Sequence, residues 1–139
     1  MKLNNRKKSQ RGFTLIELLV VVSIIATLFL ISIPSYQNYV AKANATAALA
    51  EVSQGRIAFE DNLNEGKVSD TPQAIGLYQN FCDKISVSTG AAGDITCEFK
   101  IKGEVKVLTL DRDDATGKWT CTSTADKFHL PKSCLSTKK

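Results

Sequence analysis

The stretch "QRGFTLIELLVVVSIIATLFLISIPSYQNY", residues 10–39, decides how the rest of this chain is read. From Phe13 to Ile33 it is apolar apart from Thr14, Glu17, Ser23, Thr27 and Ser32. A run of that length matches the ~20 residues a helix needs to cross ~30 Å of hydrocarbon. Residues 1–12, "MKLNNRKKSQRG", hold five basic residues and no acid, and no positive charge occurs in the eight residues after Ile33. That asymmetry predicts a cytoplasmic N-terminus and an exported remainder. The run is too long for the apolar region of a secretory signal peptide, and no small-x-small site closes it. Glu17 is the anomaly. A carboxylate inside a membrane span costs about 3 kcal/mol on insertion scales, which marks it as functional.

The 139 residues support one compact domain plus something extended. The net charge of +4 comes from the first twelve residues, because the remainder carries 13 Lys+Arg against 14 Asp+Glu. Bulk charge therefore gives no argument for nucleic-acid binding.

The helical pattern continues beyond Pro34. The segment 35–66 is rich in good helix formers, and apolar residues recur at Tyr36, Tyr39, Val40, Ala43, Ala47, Ala48, Val52, Phe59 and Leu63. Gly66 is the expected terminator. The predicted helix covers about residues 13–64, on the order of 75–80 Å long. No small domain needs that length for its own core, so one half must be covered by lipid or by protein. Pro34 is expected to kink or loosen the helix. Gly55 costs it about 1 kcal/mol against Ala, which is tolerable where the helix packs on a head.

Residues 67–81 read as irregular. Strands are predicted at 84–88, 95–101, 104–110 and 117–123, with a tight hairpin at "KG" (102–103) and a turn-rich connection "DRDDATG" (111–117). The tail from Thr124 reads as loop. The expected fold is therefore α+β: a long N-terminal helix packed on a small antiparallel sheet. Four cysteines, Cys82, Cys97, Cys121 and Cys134, lie in the exported half. Zinc is the competing assignment, but there is no C-x2-C pair and only one histidine, His129. An even count in a small translocated domain reads as two disulfides, with three pairings open.

The run from Gly12 to Tyr39 resembles the prepilin signature of type IV pilins and pseudopilins: Gly before Phe, Glu as the fifth residue after that Gly, then Pro34, Tyr36 and Tyr39. "GKWTC" (117–121) and "LPKSC" (130–134) also resemble pilin tails. Residues 40–116 resemble pilins in layout rather than in letters. The resemblance implies a leader, 1–12, cut between Gly12 and Phe13 by a prepilin peptidase that also methylates the new Phe13 amine. It implies a transmembrane and filament-core half, 13–34, and a periplasmic or extracellular head, 35–139. Phe13, Glu17 and Pro34 become assembly residues. The Glu17 carboxylate pairs with the Phe13 amine of another subunit, worth roughly 4 kcal/mol before desolvation at ~4 Å and an effective dielectric near 20. The resemblance also implies a Cys121–Cys134 disulfide closing the C-terminal loop and, with it, Cys82–Cys97. The implied partners are other pilin subunits, the prepilin peptidase, the inner-membrane assembly platform and the inner membrane itself. The implied location is the bacterial inner membrane before assembly and an extracellular pilus after it. Such a filament serves adhesion, twitching motility or DNA uptake.

Three departures qualify the resemblance. Ala26 stands where many major pilins have Gly and Phe29 and Leu30 where they have small residues, "QG" at 54–55 replaces a second helical proline, and the extra Cys82–Cys97 pair occurs only in some members. These keep a minor pilin or a type II secretion pseudopilin open, although the C-terminal disulfide loop argues against the latter. Outside the family, the alternative is a membrane-anchored periplasmic binding protein that never polymerises. Asp111, Asp113 and Asp114 lack the ligand order of an EF-hand and read as a solvated turn. Lys118, Lys127 and Lys132, with Lys138, Lys139 and His129, read first as a solubilising surface. DNA or host-surface contact is the functional alternative. "NAT" at 44–46 is a glycosylation sequon by letters alone. Neither a catalytic constellation nor a metal-ligand cluster is expected, and no cofactor is implied.

Overall fold

The computed structural model describes residues 12–67, 69–88 and 90–138, and its contacts divide the chain between Ser35 and Tyr36. Of the expected leader, 1–12, only Gly12 lies among the described residues. Helix α1 spans Leu15–Asn64 and runs through Pro34.

In the N-terminal unit every described side chain is exposed. The segment is long and apolar enough to cross a membrane. Its internal hydroxyls are bonded within the helix. Ser23 donates to the Val20 carbonyl at 2.7 Å, Thr27 to Ile24 at 2.8 Å and Ser32 to Leu28 at 2.9 Å. These three residues therefore carry no unsatisfied donor into an apolar environment.

In the second unit, the remainder of α1 buries Ala41, Ala45, Ala48, Val52, Gly55 and Phe59, spaced three or four apart along one face. Most of this row is small, so the helix backbone approaches its neighbours closely. A Cβ on Gly55 would lie 2.8 Å from Leu77 Cδ1 and 2.9 Å from Ile75 Cδ1. The helix closes as Gly66 takes a left-handed φ of 68°, with Gly66 N donating to Leu63 O and Lys67 N to Asn62 O.

The sheet has five strands in sequence order: β1 Lys84–Val87, β2 Asp94–Ile101, β3 Glu104–Arg112, β4 Trp119–Ser123 and β5 Cys134–Ser136. On β2 the residues Ile95, Cys97, Phe99 and Ile101 are buried alternately. Register pairs Ile95 with Leu110 and Cys97 with Leu108, which places these apolar side chains on one face. Lys102 and Gly103 both have positive φ, 52° and 83°, as a two-residue turn between antiparallel strands requires.

The expectation of an antiparallel sheet needs one correction. The first four strands are antiparallel, but β5 pairs parallel to β4, so the sheet is mixed. The tail read as loop thus holds a strand, with a short 3-10 helix, Lys127–His129, before it. Three residues are too few to show alternation in a sequence. β5 is held instead by its neighbours: Ser136 Oγ donates to Ala125 O at 2.7 Å and Thr137 N to Ser123 O at 2.8 Å. β3 runs two residues past the expected end and β4 starts at Trp119. The irregular connector includes a 3-10 helix, Pro72–Ile75, between Thr71 and a left-handed Gly76.

Candidate functional site

Phe13 and Glu17, the expected assembly residues, stand at the start of α1. Gly12, Phe13 and Thr14 precede the helix, and Thr14 caps it. Glu17 Oε2 accepts from Thr14 N at 2.8 Å and from Thr14 Oγ1 at 2.7 Å, while Glu17 N donates back to Thr14 Oγ1 at 3.3 Å. This reciprocal arrangement is a capping box. It satisfies otherwise unpaired groups of the first turn and keeps the acid near the positive end of the helix. The sequence signal for it was the T-x-x-E spacing of Thr14 and Glu17, which the reading of Glu17 as an isolated charge passed over. Chemically, the box fixes the carboxylate just behind Phe13, the residue whose amine a cut after Gly12 would release. Pro34 lies inside α1, twenty residues after Thr14 in sequence.

The cysteines pair as Cys82–Cys97 and Cys121–Cys134. The second disulfide joins directly opposed residues of β4 and β5 and closes the tail around the Lys127–His129 turn. The first ties the end of the connector to β2.

Two acidic side chains that the sequence reading did not single out organise the head. Glu51 is 6% exposed, and its carboxylate accepts backbone N–H bonds from Asn80 (2.7 Å), Phe81 (2.7 Å) and Cys82 (2.9 Å). A helix thereby holds a loop through three charge-assisted bonds, immediately before the first disulfide. Glu60 accepts from Arg112 Nε (2.8 Å), Arg112 Nη2 (3.1 Å) and Trp119 Nε1 (2.7 Å). Arg112 Nη1 donates in addition to Ala91 O at 2.6 Å. The Trp119 ring meets Phe59 edge-on at 5.4 Å, with Arg56 at 5.6 Å from its centroid. The Arg112 hydrogen bond holds the Glu60 carboxyl below the usual carboxylate range, with a smaller contribution from Trp119, and Glu60 in turn raises Arg112.

Lys118 and Lys127 lie on separate parts of the second unit. Lys118 lies in the β3–β4 turn, beside the Arg112–Glu60 contact. Lys127 lies in the turn whose His129 Nε2 is 3.3 Å from Asn38 Oδ1. Asn38 and Glu60 are 22 residues apart on α1, about 33 Å at 1.5 Å per residue. Lys132 sits between Leu130 and Cys134, in the disulfide loop. In "DRDDATG", Asp113 Oδ1 accepts from Thr116 N (2.8 Å) and Thr116 Oγ1 (2.6 Å), which lowers its pKa and commits it to the turn. Among the described residues no three His, Cys, Asp or Glu side chains gather as metal ligands.

Comparison with known proteins agrees with this anatomy. The prokaryotic N-terminal methylation motif matches residues 7–33, and the family described as pilin (bacterial filament) matches residues 41–135. A fimbrial protein of Pseudomonas aeruginosa is 52% identical, with 82% of this chain and 86% of that protein aligned. Fimbrial protein Q of Moraxella bovis is 35% identical over 82% of this chain and 86% of its own length. The type IV major fimbrial protein FimA of Dichelobacter nodosus is 31% identical over 92% and 97% respectively. Among solved structures, the Cs1 pilin chimera shares the fold, with a TM-score of 0.54 and 24% identity over 70% of this chain and 98% of that one. The second family match covers well over half the sequence and the aligned relatives cover most of it: this chain belongs to the pilin family of bacterial filament subunits.

Proposed function

We propose that this chain is made as a precursor, cut between Gly12 and Phe13 by a prepilin peptidase and methylated on the new Phe13 amine. The mature subunit waits in the bacterial inner membrane, with residues 13–34 in lipid and the 35–139 head outside. The assembly platform then moves it into a type IV pilus, where lipid around the apolar half of α1 is replaced by other subunits. The observation that carries this reading is the capped start of α1. A methylation motif runs into the exposed apolar half of α1, whose single acid, Glu17, is already oriented by Thr14. Pairing of that acid with the Phe13 amine of a neighbouring subunit sets the register, because an apolar stripe can slide whereas an unpaired charge penalises a wrong offset.

Relatives bearing the names type IV major fimbrial protein and type IV major alpha-pilin support the role of main subunit. The bulk of Phe29 and Leu30 instead favours a minor subunit, with close helix approach restricted there. Adhesion, twitching motility and DNA uptake are the uses such a filament serves. The deciding experiment quantifies the chain in sheared, purified pili and scores a deletion for piliation, twitching and transformation. Abundance in pili and loss of piliation are expected. Retention in the membrane with normal pili would overturn the reading in favour of a non-polymerising anchored protein. A Glu17→Ala chain that is cut and still polymerises at the parental level would remove the register role alone.

A further inference from the structure

The head carries a rim of exposed aromatic and basic side chains centred on Asn38. Tyr36 and Tyr39, 69% and 74% exposed, follow the last apolar residue of the N-terminal stretch, Ile33, by three and six positions. The β2–β3 turn reaches the same place: Lys102, in its left-handed backbone conformation, donates from its ammonium to Asn38 Oδ1 at 2.9 Å. The Lys127–His129 turn arrives from the tail, with His129 Nε2 at 3.3 Å from the same oxygen and Phe128 80% exposed beside it. Lys127 lies 5.5 Å from the Phe128 ring centroid. Lys42 is one helical turn on from Asn38.

Charge on the rim is one-sided. Among the described residues, Lys42, Lys102 and Lys127 have no acidic partner, whereas Glu104 is engaged by Lys106 at 2.6 Å and Asp126 by Lys138 at 2.9 Å. Tyrosines immediately outside an apolar span, interleaved with unpaired lysines, match the composition of a membrane–water interface. The apolar core of the head does not use these aromatics.

We propose that this rim is a contact for anionic phospholipid headgroups. Lys42, Lys102 and Lys127 meet lipid phosphates, and Tyr36, Tyr39 and Phe128 settle at the headgroup level, seating the head while the subunit is still in the membrane. The proposal rests on the membrane-held precursor reading above. It gives the β2–β3 turn and the C-terminal disulfide loop a partner that assembly into a filament has to displace.

The test reconstitutes the full chain in phosphatidylglycerol vesicles and, separately, in phosphatidylcholine vesicles, and follows amide hydrogen exchange at residues 99–105 and 126–130. Exchange in these segments should be at least about fivefold slower in phosphatidylglycerol, the effect of one lysine near an anionic surface. High salt should abolish the difference. Lys102→Glu and Lys127→Glu should each reduce it with the near-ultraviolet spectrum of Trp119 unchanged, and Lys118→Glu, at the far end of the head, should not. Equal exchange in the two lipids overturns the proposal. So does protection that appears only in assembled filaments and ignores lipid charge, which would assign the rim to a second copy of the chain. Recovery of the chain in the carbonate-soluble fraction would instead overturn the membrane-held reading, and this contact with it.

Discussion

Replacing Glu51 by Gln tests whether one buried carboxylate holds the connector. In the parent, Oε2 accepts from Phe81 N and Cys82 N, and Oε1 accepts from Asn80 N. An amide can keep its oxygen toward the first two donors, but its NH2 then faces the third N–H, donor against donor. One charge-assisted bond, worth about 1.5–3 kcal/mol, is lost, and the other two fall to the neutral range near 1 kcal/mol. The expected total is about 2.5–7 kcal/mol, and its lower part, about 3 kcal/mol, sets the smallest effect to look for. At roughly 4–8 °C per kcal/mol for a domain of this size, the midpoint should fall by at least about 12–24 °C. The assay is thermal unfolding of the detergent-solubilised chain with its disulfides intact, followed through the near-ultraviolet signal of Trp119. A midpoint within about 3 °C of the parent would refute the reasoning. It would mean that water satisfies the Asn80 N–H, and the amide oxygen the other two, as well as the carboxylate does. Reduction of Cys82–Cys97 should enlarge the effect, because the disulfide keeps the end of the connector near Glu51 when the hydrogen bonds fail.

Glu60 predicts a pH dependence. Its folded pKa is depressed, so its contribution is complete above the unfolded value of about 4.3 and is lost as pH falls through the folded one. Urea midpoints should therefore decline less steeply between neutral and acid pH for Glu60→Gln than for the parent. Gly55→Ala gains about 1 kcal/mol of helix propensity but drives a methyl against Leu77 and Ile75, an overpacking that costs about 1–3 kcal/mol, so the unfolding free energy from urea titration should fall by a net of up to about 2 kcal/mol. Gly93→Ala, whose Cβ would run into the Phe59 ring at Cζ, should cost more. Changing Cys121 and Cys134 together to Ser opens a loop spanning 13 positions and should cost about 3 kcal/mol, with exchange protection in β5 lost first.

Where local chemistry repeats, the sequence was readable. The alternation on either side of Lys102–Gly103 announced the hairpin, whereas the helix face was only partly legible: of the apolar positions at helical spacing Ala48, Val52 and Phe59 are buried, Tyr36, Tyr39 and Ala43 are exposed, and the small residues Ala41, Ala45 and Gly55 complete the buried row. The antiparallel expectation failed at β5 because a three-residue strand has no period and is placed by bonds to Ser123, Ala125 and Cys121. Glu51 and Glu60 were overlooked for a related reason. An acid on a helix reads as a solvated charge unless its partners are known, and these partners lie about 30 to 60 residues away in sequence. At the N-terminus the signal was present in Thr14 and Glu17 but was weighed as membrane cost, not as a cap. Composition alone did not say where the lysines lie: Lys127 is in the turn beside Asn38 and Lys118 is in the turn beside Glu60.

The two disulfides also set how far the head can be drawn out. Pulled from its ends, the chain cannot release the 15 positions between Cys82 and Cys97 or the 13 between Cys121 and Cys134. At up to about 3.5 Å per residue, that removes on the order of 100 Å of contour length. Every tensile load that reaches β5 passes to β4 through a covalent bond between opposed residues, so rupture of the three-residue ladder frees no slack. An oxidised head therefore extends less by that length and keeps its tail in place, whereas a reduced one would unspool.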